Sequence, residues 1–181
     1  MTPVGDPSGC FVAGAILFCA FAAVGMVDGA YFHIWKYKLH ARVESRKEHV
    51  THTLNAILFP PIVYLLLYRD CGGIALWAAA LLVVVDVAIE SWDVLIERAS
   101  RAAIGGLSSV EYWIHTMAIT LRIGGIGVLL AAHPTYAWRF DAPATLAGEP
   151  PALVRVVALV LIAGASVTAV QHVWLLRTKP T

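Results

Sequence analysis

Five long apolar stretches, separated by short polar breaks, run through the chain at about residues 10 to 40, 48 to 69, 72 to 98, 108 to 132 and 151 to 177. Each is long enough to cross a hydrocarbon layer as a helix, which takes about 20 residues. The stretches are apolar nearly all the way round, the pattern of helices whose surroundings are lipid or protein and not water. No low-complexity linker and no clear internal repeat divides them. The pattern therefore predicts one integral-membrane domain over residues 1–181, an all-α polytopic bundle whose tight connections make most sequential helices antiparallel neighbours. A first helix unbroken from Cys10 to His40 would be roughly 45 Å long. Its last turns would then project beyond a hydrocarbon layer of roughly 30 Å. Pro60-Pro61 predicts a kink in the second helix, because proline removes a backbone donor and crowds the preceding turn. The aromatic and proline-rich stretch HPTYAWRFDAPATLAGEP, residues 133 to 150, suits an ordered segment lying along a membrane interface.

Composition agrees: 59% of the 181 residues are hydrophobic and 14% are charged. The mean hydropathy of +0.74 is that of a membrane protein. A net charge of +1 gives no reason to expect a nucleic-acid partner. The placement of charge says more. Lys36, Lys38, Arg42, Arg46 and Lys47 follow the first stretch, Arg98 and Arg101 the third, and Arg177 and Lys179 the fifth, against Arg69 and Arg139 on the other side. The positive-inside rule then puts the N-terminus outside and the C-terminus in the cytosol, which needs an odd number of spans. The opening MTPVGDPSG lacks the basic region of a cleaved signal peptide. Cys10 and Cys71 are expected near the outer surface, close enough in depth to pair, and Cys19 within the membrane; three apolar thiols are the preferred reading.

The polar residues inside these stretches carry the chemistry. In the third helix Asp86, Glu90, Asp93 and Glu97 follow at steps of four, three and four, which return to one face. At 1.5 Å per residue Asp86 lies about 21 Å and Asp93 about 32 Å from the outer start of that helix. Asp86 and Glu90 fall within the inner leaflet, Asp93 near its boundary, and Glu97 at the water. Arg122, midway along the fourth helix, is a counter-charge, a lipid-phosphate contact or a substrate anchor. At matching depth the first helix offers Asp28, His33 and His40, with the two histidines seven apart on one face. The second begins Glu48-His49-x-x-His52, the fourth has Glu111 and His115 four apart, and the fifth has His172 about 8 Å before its end. Six of the seven histidines thus converge with the intramembrane acids at one end of the bundle.

Ionisable side chains in a membrane are costly unless paired or ligated. Imidazole and carboxylate together are the ligands of non-haem iron, manganese and zinc, and no cysteine shares this slab to suggest copper(I) or iron–sulfur binding. Helical bundles that turn such groups inward build dinuclear carboxylate centres, although the familiar Glu-x-x-His pair is absent here. The expected ligands are His33, His40, His49, His52, Glu90, Asp93, Glu111 and His115. Asp28, Glu48, Asp86 and His172 are either further ligands or groups that orient the imidazoles. The number of groups suits two metal ions.

The run VDGAYFHIWKYKLH, residues 27 to 40, resembles the opening helix of a family of uncharacterised small bacterial multi-span membrane proteins. In that signature a glycine-rich span ends in Asp-Gly and two histidines follow, here Asp28, Gly29, His33 and His40. The resemblance implies a small, metal-binding helical protein of the bacterial cytoplasmic membrane. The ligand chemistry is also similar to that of membrane-bound non-haem di-iron hydroxylases and desaturases, with His49-x-x-His52 as the fragment in common.

These readings predict an oxidoreductase of the monooxygenase kind, with two iron ions near the cytosolic face. Its substrate would be apolar or lipid-like and enter from the bilayer, and a cytosolic electron donor would dock on the basic surface. Zinc or manganese in the same ligands, and a zinc-dependent hydrolase, remain alternatives. Another is a b-type cytochrome with haem between His52 and His115 or between His33 and His172. Metal or proton transport is a fourth, with acids and histidines as natural relays. The tyrosines and tryptophans around the cluster, among them Tyr31, Trp35, Trp92 and Trp113, are expected to be interfacial anchors.

Overall fold

The computed structural model describes residues 8–177. Asp6 and Lys179 lie outside them. Five helices are long and apolar enough to cross a membrane: Ser8–Lys36, Arg46–Tyr68, Gly73–Ile104, Ser109–Ala132 and Ala152–Leu176. They are called the first to fifth helices below. Their outward faces expose Ile16, Leu81, Val84, Leu95, Val160 and Val170, an apolar exterior that lipid solvates and water does not. The hydroxyls on these faces are turned back onto the helix: Ser91, Thr116, Thr120 and Thr168 each donate to the carbonyl four residues earlier. That satisfies them where no water is present.

The fourth helix packs on the first, while the third and the fifth both pack on the second. Glycine permits the closest of these approaches, since a Cβ on Gly125 would stand 2.7 Å from the Phe18 ring. One end of the bundle is an apolar core of Phe11, Phe18, Phe59, Ile62, Leu66 and Leu129. There Phe59 meets Phe18 and Phe21 edge-on, with ring centroids 5.3 and 5.0 Å apart. The segment after the fourth helix closes this end, as its composition predicts. Leu146 is buried and its N–H donates to the Asp70 carbonyl, and Trp77 donates to the carbonyl of Trp138. Gly73 takes a left-handed φ of +54° where the Ala142 carbonyl leaves no room for a side chain. Burial raises the Asp70 carboxyl above its ordinary range, with His133 beside it opposing the shift. Cys10, Cys19 and Cys71 are free thiols.

At the opposite end the buried side chains are polar, and here the helices depart from the expected boundaries. The first helix does not run unbroken to His40. From Val27 it widens into a π-helix that ends at Lys36, Lys38 turns left-handed at φ 50°, and a 3-10 turn follows at Leu39–Ala41. Buried Leu39 and the bond from Arg42 Nε to the Tyr37 carbonyl fix that turn. His33 and His40 therefore do not share a helical face. The third helix continues past residue 98 through Arg101 and a 3-10 turn to Ile104. The irregularity expected at Pro60-Pro61 takes the form of a π segment, Tyr64–Tyr68, which begins three residues after Pro61.

Candidate metal centre

The π segment of the first helix sets up the site. In an α-helix, residues five apart differ by about 140° around the axis. The wider turn bonds residue i to i+5 and brings such residues into line. Asp28 and His33 are five apart and are both buried on the inner face. Across from them stand Glu48 and His52 of the second helix, Asp93 of the third and His115 of the fourth.

These six side chains close a ring in which acid and imidazole alternate. His33 Nε2 lies 3.4 Å from Asp28 Oδ1 and 3.9 Å from Glu48 Oε1. His52 Nε2 lies 3.8 Å from Glu48 Oε1 and 3.4 Å from Asp93 Oδ2. His115 completes the circuit, with Nε2 at 3.6 Å from Asp93 Oδ2 and Nδ1 at 3.0 Å from Asp28 Oδ2. Glu90 Oε1 joins from the third helix at 3.6 Å from His115 Nε2.

Each carboxylate is held by one oxygen and turns the other inward. Asp28 Oδ2 is bonded to His115 Nδ1, Glu48 Oε2 accepts from Arg101 at 2.5 Å, and Asp93 Oδ1 accepts from the Thr51 hydroxyl. Glu90 Oε2 accepts from Asn55 at 2.7 Å and from Arg122 at 3.1 Å. The remaining oxygens Asp28 Oδ1, Glu48 Oε1 and Asp93 Oδ2, with His33 Nε2, His52 Nε2 and His115 Nε2, are buried without a hydrogen-bond partner. Unpaired buried polar atoms are expensive, and six facing one another call for a shared partner. Their separations exceed those of good hydrogen bonds. With bonds of about 2.1 Å, neighbouring ligand atoms around a cation stand about 3.0–3.4 Å apart; the 3.4 Å pairs reach that range and the others, at 3.6–3.9 Å, are within half an ångström of it. Three groups of side chains have donors close enough to converge on an ion: Asp28, His33 and His115; His33, Glu48 and His52; and Glu90, Asp93 and His115. They share members, as the ligands of adjacent ions do.

Charge points the same way. Among the described residues, seven carboxylates are buried, at Asp28, Glu48, Asp86, Glu90, Asp93, Glu97 and Glu111, against the two arginines Arg101 and Arg122. Five negative charges are left over in a low-dielectric slab, where only cations or protons relieve them.

The expected ligand set is thus partly regrouped. His33, His52, Glu90, Asp93 and His115 come together, and Asp28 and Glu48 join them. Glu111 instead accepts from Arg101 Nε at 2.6 Å, and Asp86 accepts from Arg122. Arg122 is therefore the counter-charge among the three roles considered for it. His40, His49 and His172 form a separate group: His49 and His172 stack with ring centroids 4.9 Å apart, His40 lies 6.1 Å from His49, and His49 Nε2 approaches the His172 carbonyl at 3.3 Å. Burial, with Lys38 adding, lowers the pKa of His40 below the ordinary imidazole range. Glu97 does not lie at the water; it is 2% exposed and its Oε1 has no partner.

Arg101, expected in the turn after the third helix, is instead a buried residue of that helix beside the candidate centre. It is fully buried and clamps Glu48 to Glu111, with its guanidinium over the Tyr37 ring at 5.6 Å. The signal was available: one more step of four extends the stripe of residues 86, 90, 93 and 97 to Arg101. Tyr31, Trp35, Trp92, Tyr112 and Trp113 are exposed on the outside of this end, as interfacial anchors are. Of the ring members His52 has the most exposed side chain, at 18%. Comparison of the chain with protein-family models, with curated proteins and with solved structures finds no match.

Proposed function

We propose that the chain is a membrane metalloenzyme that holds two metal ions between its first four helices, and that iron is the metal. The observation that carries this reading is the set of four carboxylates, Glu48, Glu90 and Asp93 with one oxygen held from outside the ring and Asp28 with one held by His115, whose other oxygens turn toward the three imidazoles. Supporting contacts of this kind are what orient and tune metal ligands. Asp28, His33, Glu48, His52, Glu90, Asp93 and His115 would hold the ions. Four carboxylates with histidines is a donor set of di-iron and di-manganese bundles. Zinc centres more often use four ligands in all.

Bound iron would supply oxygen chemistry, and the fold supports oxidation, hydroxylation or desaturation of an apolar substrate. The lipid-facing helices exclude water around the cluster, and the His52 edge gives a route inward. Haem is disfavoured by the crowding: His33 and His52 are in edge contact at 4.4 Å, and Asp93 stands between His52 and His115. Transport is disfavoured because the other half of the bundle is a closed apolar core. Lys36, Lys38, Arg42, Arg46, Lys47 and Arg98 gather at the cluster end, which supports a cytosolic orientation for that end in the bacterial cytoplasmic membrane. The same basic surface would receive an electron donor.

Reconstitution tests the reading. Protein loaded with ferrous iron under nitrogen and then exposed to air is expected to consume oxygen and to develop a broad ferric absorption with no sharp Soret band. A stable, colourless zinc form that takes up no iron would overturn the redox assignment.

A further inference from the structure

Three histidines at the basic end stand outside the ring: His40 in the 3-10 turn, His49 in the first turn of the second helix and His172 near the end of the fifth. Two local contrivances bring them together. Arg46 Nη2 donates to the Leu176 carbonyl at 3.0 Å, which ties the start of the second helix to the end of the fifth and leaves His49 and His172 with ring centroids 4.9 Å apart. Lys38 takes a left-handed φ of 50°, an uncommon conformation for a residue with a Cβ, and the turn that follows returns His40 to 6.1 Å from His49.

Their nitrogens are not accounted for by hydrogen bonds. A carbonyl only accepts, so His49 Nε2, 3.3 Å from the His172 carbonyl, carries the ring proton and Nδ1 keeps its lone pair. His40 Nδ1 and His172 Nδ1 are buried with no hydrogen-bond partner, which is costly unless something else binds there. Two imidazoles on one ion, with bonds of about 2.1 Å, have centroids about 4.6–5.3 Å apart. The His49–His172 pair falls in that range, and His40 stands within about an ångström of it. The donors do not close as tightly as the three groups of the ring do, and they are imidazole alone, where the ring adds four carboxylates. Such a set holds a divalent cation more weakly than the ring and gives it up to the ring.

The three histidines also lead inward. His40 is half-buried at the edge of the bundle, and His49 and His172 are buried behind it. About 4.5 Å further along the second helix, and near the same face as His49, comes His52. Its ring lies 4.4 Å from that of His33 and 6.0 Å from that of His115, so imidazoles line the way from the edge to both halves of the ring. Lys38, Arg46 and Lys47 beside this edge repel a free cation, and neutral ligands that replace its water in steps help it past them. We propose that His40, His49 and His172 form a loading site, which takes a divalent transition-metal ion from water at the basic end and passes it by way of His52 to the ring. This rests on the metal centre proposed above and adds how that centre is filled: the three histidines set the rate of loading and not the capacity.

Uptake kinetics test it with the full chain in nanodiscs. Metal-free protein is mixed with cobalt(II), portions are quenched with excess chelator at successive times, and retained cobalt is measured by elemental analysis beside helical circular dichroism. His40→Ala and, separately, His172→Asn are expected to slow uptake at limiting cobalt about tenfold, the scale on which groups that support a metal site commonly count. Both should reach the final content of the unaltered chain, and His133→Ala, at the other end of the bundle, should load at the unaltered rate. Unchanged uptake in either variant would overturn the proposal. So would a final content that falls with the rate, since the histidines would then be resident ligands. Failure of the metal centre is a separate result: an unaltered chain that retains no cobalt even at long times would overturn the centre, and the loading site with it.

Discussion

Asp93→Ala is expected to lower metal retention from about two ions per chain to less than about one, while the protein still inserts and purifies as a folded bundle. Asp93 Oδ2 is the oxygen common to both halves of the cluster, 3.4 Å from His52 Nε2 and 3.6 Å from His115 Nε2. The other oxygen is held by the Thr51 hydroxyl, which orients the carboxylate toward both imidazoles. Removal of one acid from a pocket with surplus negative charge relieves repulsion in the metal-free protein, and for that reason the fold is expected to survive. Equilibration against a series of chelator buffers, followed by elemental analysis and helical circular dichroism, checks both halves of the expectation. Retention of two ions by Asp93→Ala would exclude Asp93 from the centre.

The second large effect is on stability. Arg101→Met should destabilise the bundle by about 3–5 kcal/mol, the usual cost of removing one partner from a buried ionic network. Arg101 is fully buried and holds Glu48 at 2.5 Å and Glu111 at 2.6 Å, so its loss strands two carboxylates. Combining it with Glu48→Gln and Glu111→Gln should recover most of the stability, because the charges left unpaired are then gone. Metal retention should not recover, since Glu48 Oε1 lies toward His33 and His52 as a donor. Thermal unfolding in detergent, read beside metal content, separates the two outcomes.

Much of this was legible in the sequence because the bilayer narrows the choices. Runs of about 20 apolar residues have few folds open to them, and unsatisfied backbone is not tolerated in lipid. Periodicity alone placed Asp86, Glu90 and Asp93 on one buried face, and reversal of chain direction brought His52 and His115 to their depth. What escaped was local geometry that does not follow the 3.6-residue period. The π turn over Val27–Lys36 aligned Asp28 with His33, where an α-helix would have aligned His33 with His40. The end of the third helix escaped for a different reason. Glu97 and Arg101 look like the polar close of a span, and only the pairing of Glu48 and Glu111 with Arg101 makes an interior of that turn. Charge alone did not separate a solvated turn from a buried clamp.

We propose that cations occupy the space that the ring of Asp28, His33, Glu48, His52, Asp93 and His115 encloses. Diffraction from crystals of the iron-loaded protein, recorded on both sides of the iron absorption edge, locates iron directly. Two anomalous peaks are expected at that ring, one beside Glu90 and His115 and the other beside His33 and Glu48. Iron found only at His40, His49 and His172, or nowhere in the bundle, would contradict it.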